Sequence, residues 1–263
     1  MRYINSKNRS IMREMISADF KVRYQGSVLG YLWSLLRPLF LFAILYVVFT
    51  KVFNVGEGVP NFPVYLLLGI VLWNFFSEAT VVGVSAIVSK GELIRKISIP
   101  RYIAVLSTTA SAFINLLLNL IVVFALAFIS GIRPTAEWLL FPLVIGEILV
   151  LALAVTFFLS ALYVKFRDVV YIWEVFMQAA FYATPILYPM SLIPDKYQLL
   201  FFINPMAQIM QDARYIIVTH DATTAWQLGG LKMGLASIAL VVLGFFAARQ
   251  YFRRQAKWFA EYL

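Results

Sequence analysis

Cysteine is missing from the 263 residues, and histidine occurs once, at His220. The first absence excludes disulfides, thiolate metal sites and a cysteine nucleophile; the second leaves no histidine-based metal cluster. Charge is scarce as well. Only 13% of residues are charged and 62% are apolar, against about a quarter and about a half in an ordinary globular domain. A phosphate-binding loop of the form G-x-x-x-x-G-K-[ST] is also lacking, so ATP is not expected to be hydrolysed by this chain alone. What is left is an apolar chain that belongs in a membrane.

Apolar runs of about 20 residues, enough for a helix to cross a hydrocarbon core about 30 Å thick, recur six times. They cover residues 32–52, 64–88, 104–130, 138–164, 169–187 and 231–248. The fifth ends at Ala183-Thr184-Pro185 and is followed by Pro189, Pro194 and Pro205. A continuous helix through those prolines loses hydrogen bonds and clashes with its preceding turn, so residues 188–228 are expected to form short, mobile, re-entrant pieces. The first 31 residues are charged and lack a central apolar stretch, which argues against a cleavable signal peptide. The expected fold is therefore all-α: six transmembrane helices (residues 32–263) preceded by an N-terminal segment (1–31).

Seventeen of the 22 Lys and Arg residues fall on the side of the membrane that holds both ends of the chain. By the positive-inside rule that side is cytoplasmic, and the net charge of +9 reads as a topology signal rather than a nucleic-acid surface. Before the first span, Ile4, Ile11, Met15, Ala18 and Val22 share a helical stripe opposite Lys7, Arg13, Glu14 and Lys21, the pattern of a helix lying in the cytoplasmic interface. Ile16 and Phe20 lie off the stripe, where a protein partner is an alternative to lipid. The loop 89–101 combines Leu93, Ile94 and Ile97 with Lys90, Glu92, Arg95 and Lys96. That mixture suits a docking element, although an ordinary positive-inside loop reads the same way. Pro100 suits the first turn of the following helix.

Ionisable groups inside spans are costly and face a protein interior or an aqueous path. Glu78 is the most central; Glu147 lies in the outer half of the fourth span, and Arg37 and Glu174 lie near inner helix ends. With no intramembrane His, Asp or Lys to partner Glu78, a proton-driven carrier is disfavoured. Aromatic residues make up 16% of the chain and gather at span ends. Most suit interfacial belts, and a minority suit a path in which sugar rings stack on aromatic faces.

The run from Arg23 through Tyr24 and Gly30 to Arg37-Pro38-Leu39, the loop ending Lys96-Ile97-Ser98-Ile99-Pro100, the Phe166-Arg167-Asp168 turn, and Thr184-Pro185-Ile186 followed by Asn204-Pro205-Met206 closely resemble the membrane subunit of type-2 ABC exporters for O-antigen and teichoic acid polymers. The resemblance runs over nearly the whole chain in consistent order; relatives commonly carry Asn or Trp where Arg37 stands. It implies a homodimer in the bacterial plasma (inner) membrane, with two copies of a cytoplasmic ABC ATPase that carry ATP and Mg, a lipid-linked polysaccharide as substrate, and no cofactor or metal on this chain. By the same resemblance Lys90, Glu92, Leu93, Ile94, Arg95, Lys96, Pro100, Met15 and Phe20 would couple to the ATPase. Arg23, Tyr24 and Arg37 would receive a lipid pyrophosphate at the cytoplasmic entrance. Tyr31, Trp33, Trp73, Phe76, Glu78 and Tyr182 would line the path. Pro185, Tyr188, Phe201, Phe202, Asn204 and Pro205 would form the outer gate. Two alternatives stay open: an exporter subunit for a drug or small lipid, and, from a different class, an integral-membrane glycosyl- or acyltransferase, for which His220, Asp195, Asp212 and Asp221 form no recognisable motif.

Overall fold

The computed structural model describes residues 6–54, 58–97 and 99–259, which are helical with no strand among them. Helix α1 (Ser6–Tyr24) is followed by a 3-10 turn (Gly30–Leu32), α2 (Trp33–Val47) and a π-helical turn (Val48–Val52). Next come α3 (Phe62–Val84), α4 (Ala86–Ser89), α5 (Gly91–Ile97) and α6 (Tyr102–Ile129). After a 3-10 turn (Ala136–Leu140) the chain forms α7 (Phe141–Lys165) and α8 (Val169–Ala183), then α9 (Asp195–Phe201), α10 (Pro205–Ile217) and α11 (Ala225–Gln255). Three of these helices place a proline in the first turn, Pro63 in α3, Pro142 in α7 and Pro205 in α10, where its missing N–H costs nothing.

Among the described residues, five helical stretches are long and apolar enough to cross a membrane: Gly30–Val52, Phe62–Val84, Tyr102–Ile129, Ala136–Lys165 and Ala225–Gln255. They fall on the expected spans one to four and six. The fifth expected span is shorter than its apolar run, because α8 stops at Ala183 after 15 residues. At about 1.5 Å per residue this reaches roughly 22 Å. Thr184 leaves the helix in an extended conformation, as the following proline requires of its predecessor. The sixth is bent near its start: Gly230 takes φ +63° and ψ −165°, dividing a capped turn from the long apolar helix. Thr224 and Gln227 form a reciprocal capping box at the start of that turn.

Helix α3 is the axis of the bundle. It is apolar on all but the face that carries Asn74, Ser77 and Glu78, and 17 of its 23 residues are buried against α6, α7, α2, α8 and α10. Gly83 permits the closest approach, since a Cβ there would stand 2.3 Å from Thr156 Cγ2 of α7. The Thr156 hydroxyl donates to the Ala152 carbonyl at 2.7 Å and lies 3.2 Å from the Ala79 carbonyl of α3. Helix α11 runs along α7, and α1 lies along α6. A second apolar cluster closes the end where Met15, Ile94, Ile99, Ile103, Phe157, Val164, Phe252 and Phe259 meet. By contrast, α2 and α8 bury one residue each, Pro38 and Met177, and turn Phe40, Ile44, Val47, Tyr171, Ile172, Val175 and Phe176 outward.

Candidate functional site

A cleft of about 930 Å³ opens between α2, α3 and α6, and its lining sets a group of polar and charged side chains among apolar ones. Arg37 and Trp33 come from α2, Asn74 and Glu78 from α3, and Asn115 and Asn119 from α6. One turn and a fraction separate Asn74 from Glu78, and Asn115 from Asn119, which puts each pair on one helical face. The Asn115 amide donates to Glu78 Oε1 at 2.9 Å, and the Asn119 amide donates to the carbonyls of Ser34 and Asn115 at 3.1 and 2.8 Å. These bonds stitch α2 to α6 and α6 to α3. Arg37 is exposed in the cleft and forms no ion pair among the described residues. Of the residues expected along the path, Trp33 and Glu78 meet here, together with Arg37, which was expected at the entrance. Trp73 and Phe76 do not: both are buried in the core where α3 packs on its neighbours, Trp73 edge-on to Phe181 at 5.8 Å. Tyr31 is exposed and packs on Phe20 at 6.0 Å, and Tyr182 is exposed at the end of α8.

At the end marked by the second apolar cluster, α5 forms a single short helix over the expected docking loop. Adjacent residues there part company. Leu93 faces outward beside Glu92 and Lys96, which pair at 3.9 Å, and with Arg167 they line a surface pocket of about 540 Å³. Ile94 points inward and is buried with Met15 of α1. Lys90 also points inward, onto Asp19, Ser107 and Thr108. Pro100 stands just outside α6 rather than in its first turn, its carbonyl accepting the Ile103 N–H at 2.9 Å. The side chains of Arg23, Tyr24 and Arg95 lie outside the described residues.

The segment after α8 is firmly held. Asn204 caps α10 by accepting the Met206 N–H at 3.0 Å, while its amide donates to Thr184 Oγ1 at 2.9 Å, tying the start of α10 to the end of α8. Ten of the 13 residues of α10 are buried. Phe202 is buried with Met190 and Ala225; Phe201 is half-buried beside them; Tyr188 donates to the Tyr182 carbonyl at 2.9 Å. Pro205 reaches far enough into the bundle to share a groove with Leu151, Trp173 and Gly244. Loosely packed pieces were expected here, and the bonds of Asn204 and Arg214 are what replace them.

Arg214 is the residue that sequence reasoning missed, counting it as a charge in an outer loop. It is fully buried. Its guanidinium lies 3.6 Å from the Tyr65 ring centroid and donates to the carbonyls of Tyr65 (3.3 Å), Ile186 (2.7 Å) and Pro185, and to Gln211 Oε1 (3.2 Å). Burial lowers its pKa to about 10, which leaves it charged at neutral pH. Gly69 of α3 makes room for it, since a Cβ there would stand 2.6 Å from Arg214 Nη2. Nearby Asp212 has its carboxyl pushed up to about 6 by burial, partly offset by hydrogen bonds from Trp226 and Gln208.

A bundle of apolar helices around a polar cleft, with a short exposed helix at one end and a proline-broken hairpin at the other, describes a membrane transport domain. The chain belongs to the ABC-2 type transporter family, whose sequence pattern matches residues 12–218. It is 32% identical over 255 residues to the O-antigen export system permease protein RfbA of Myxococcus xanthus, a match covering 96% of this chain and 95% of that one. Two proteins of the same name from Klebsiella pneumoniae are each 31% identical, over 84% and 73% of this chain and 87% and 74% of their own lengths.

Proposed function

We propose that this chain is the membrane-spanning subunit of an ATP-driven exporter that moves a lipid-linked polysaccharide from the cytoplasm across the bacterial plasma membrane. The polar cleft at Arg37 and Glu78 carries the reading, because intramembrane ionisable groups are retained where something hydrated must pass. The relatives' names point to O-antigen as the polymer class. In this reading both termini are cytoplasmic, α1 lies in the cytoplasmic interface, and α9 and α10 dip into the membrane from the outer side. Helix α8 makes the fifth of six crossings together with the turn residues that follow it. The chain works as a homodimer, in which the outward apolar faces of α2 and α8 find cover, with an ABC ATPase docked on each α5 at the Leu93, Glu92, Lys96 and Arg167 pocket. ATP and Mg reside on that partner.

Arg37 receives the anionic pyrophosphate at the cleft mouth, and Asn74, Asn115 and Asn119 offer hydrogen bonds that a sugar chain can exchange as it slides. Export is tested with the complex in proteoliposomes and an undecaprenyl-pyrophosphate-linked oligosaccharide as cargo. Arg37→Ala should reduce transport by about tenfold, the loss of a charge-assisted contact, with assembly intact. Full transport in that variant, or transport of small amphiphiles in place of the glycan, overturns the assignment.

A further inference from the structure

Lys90 was expected to face the ATPase, yet its ammonium is turned into the protein and fully engaged. Nζ lies 2.8 Å from Asp19 Oδ2 of α1, 3.0 Å from Ser107 Oγ and 3.3 Å from Thr108 Oγ1 of α6. An ammonium has three protons, and three acceptors surround this one. The pair is mostly shielded, with side-chain exposures of 15% for Lys90 and 27% for Asp19. Below it, Met15 of α1, Ile94 of α5, and Ile103 and Ala104 of α6 share one apolar cluster. Lys90 also joins two elements through its backbone: it ends α4, and its carbonyl accepts the Ile94 N–H at 3.0 Å, opening α5. Four elements thus converge on one residue, two through its side chain and two through its backbone.

We propose that the Asp19–Lys90 ion pair, seated on Ser107 and Thr108, is a strut that makes α1, α5 and the inner end of α6 move as one body when the ATPase pushes on α5. Lys90 and Asp19 are positioning residues, and neither touches the ATPase. The inference rests on reading α5 as the docking element. A push on α5 alone would pull Lys90 from its three acceptors and leave two shielded charges unpaired, which a low-dielectric setting opposes. Moving α1 and the adjoining end of α6 along with it keeps the ion pair and its hydroxyl partners intact. The outward residues of α5 receive the force and the inward ones distribute it.

The test is a double-mutant cycle on the complex reconstituted with its ATPase, reading glycan moved per ATP hydrolysed. Lys90→Met and Asp19→Asn should each lower that ratio by about tenfold, and the double variant by the same tenfold, because either change removes the whole strut. Lys90→Arg, which keeps the charge, should recover most of the loss. ATPase copurification should be unchanged throughout. Losses that multiply toward a hundredfold, losses that track ATPase release, or normal ratios in the single variants each overturn the strut. A second readout needs no cargo. On ATP binding, hydrogen exchange should change in both α1 and α5 of the parent, but only in α5 of Lys90→Met; a joint response in the variant overturns the proposal. Failure of the parent complex to move glycan while this exchange result holds would sink the export reading and keep the strut, whereas a chain that binds no ATPase sinks both.

Discussion

Arg214 holds the broken end of α8 to the axis of the bundle by satisfying carbonyls that a proline break left without helical partners. Replacing it by Met removes the donors and leaves the Pro185 and Ile186 carbonyls unpaired, whereas the Tyr65 carbonyl keeps its partner within α3. The expected cost is about 2 kcal/mol, from about 1 kcal/mol or more for each buried group, read as a lower unfolding temperature in detergent. Gly69→Ala should cost about 1–3 kcal/mol through overpacking against the guanidinium. Asp212 supplies a pH dependence. Its carboxyl binds a proton more tightly in the folded chain (about 6) than at its ordinary value of 3.8. The stability it contributes is full below pH 3.8 and is lost as pH rises through 6. Asp212→Asn should therefore unfold like the parent at pH 4 and be more stable at pH 7.5, by up to about 3 kcal/mol. A variant that is less stable at pH 7.5 would show that the charge has a structural use.

The short α5 separates two roles that its sequence runs together. Leu93→Ser should weaken ATPase copurification at unchanged thermal stability, whereas Ile94→Ser should lower thermal stability by about 2–4 kcal/mol through loss of core packing. Equal effects on both readouts would mean that α5 sits differently. Neighbours on a helix point about 100° apart, so one of the two apolar residues had to face inward, but nothing in the loop itself says which. The same limit applies elsewhere. The spans were legible because a 20-residue apolar run has few other uses, and the start of the sixth at residue 231 coincides with the kink at Gly230. The burial of Arg214 was not legible, because its acceptors lie 28 and 29 residues upstream in a segment whose path depends on the fold. Trp73 and Phe76 resembled path residues by type alone, and only the enclosure of α3 decides against them. Asp19 carried no signal until Lys90 was placed beside it.

For the molecule as a whole, the topology makes a labelling prediction that the absence of cysteine renders clean. Single cysteines at Ser6 and Ser89 should react with an impermeant thiol reagent only from the cytoplasmic side, and one at Thr223 only from outside; outside labelling at Ser89 would reverse the arrangement. The uneven burial of the helices bears also on how the chain is made. Helix α2 is synthesised before the other candidate spans and buries only Pro38 within the finished protein, whereas α3 needs neighbours around most of its surface. A helix with so few obligations can wait in lipid, alone and stable, while the ribosome completes the rest. The order of synthesis thus delivers a span with few packing obligations before the one whose glycine, threonine and asparagine contacts require company.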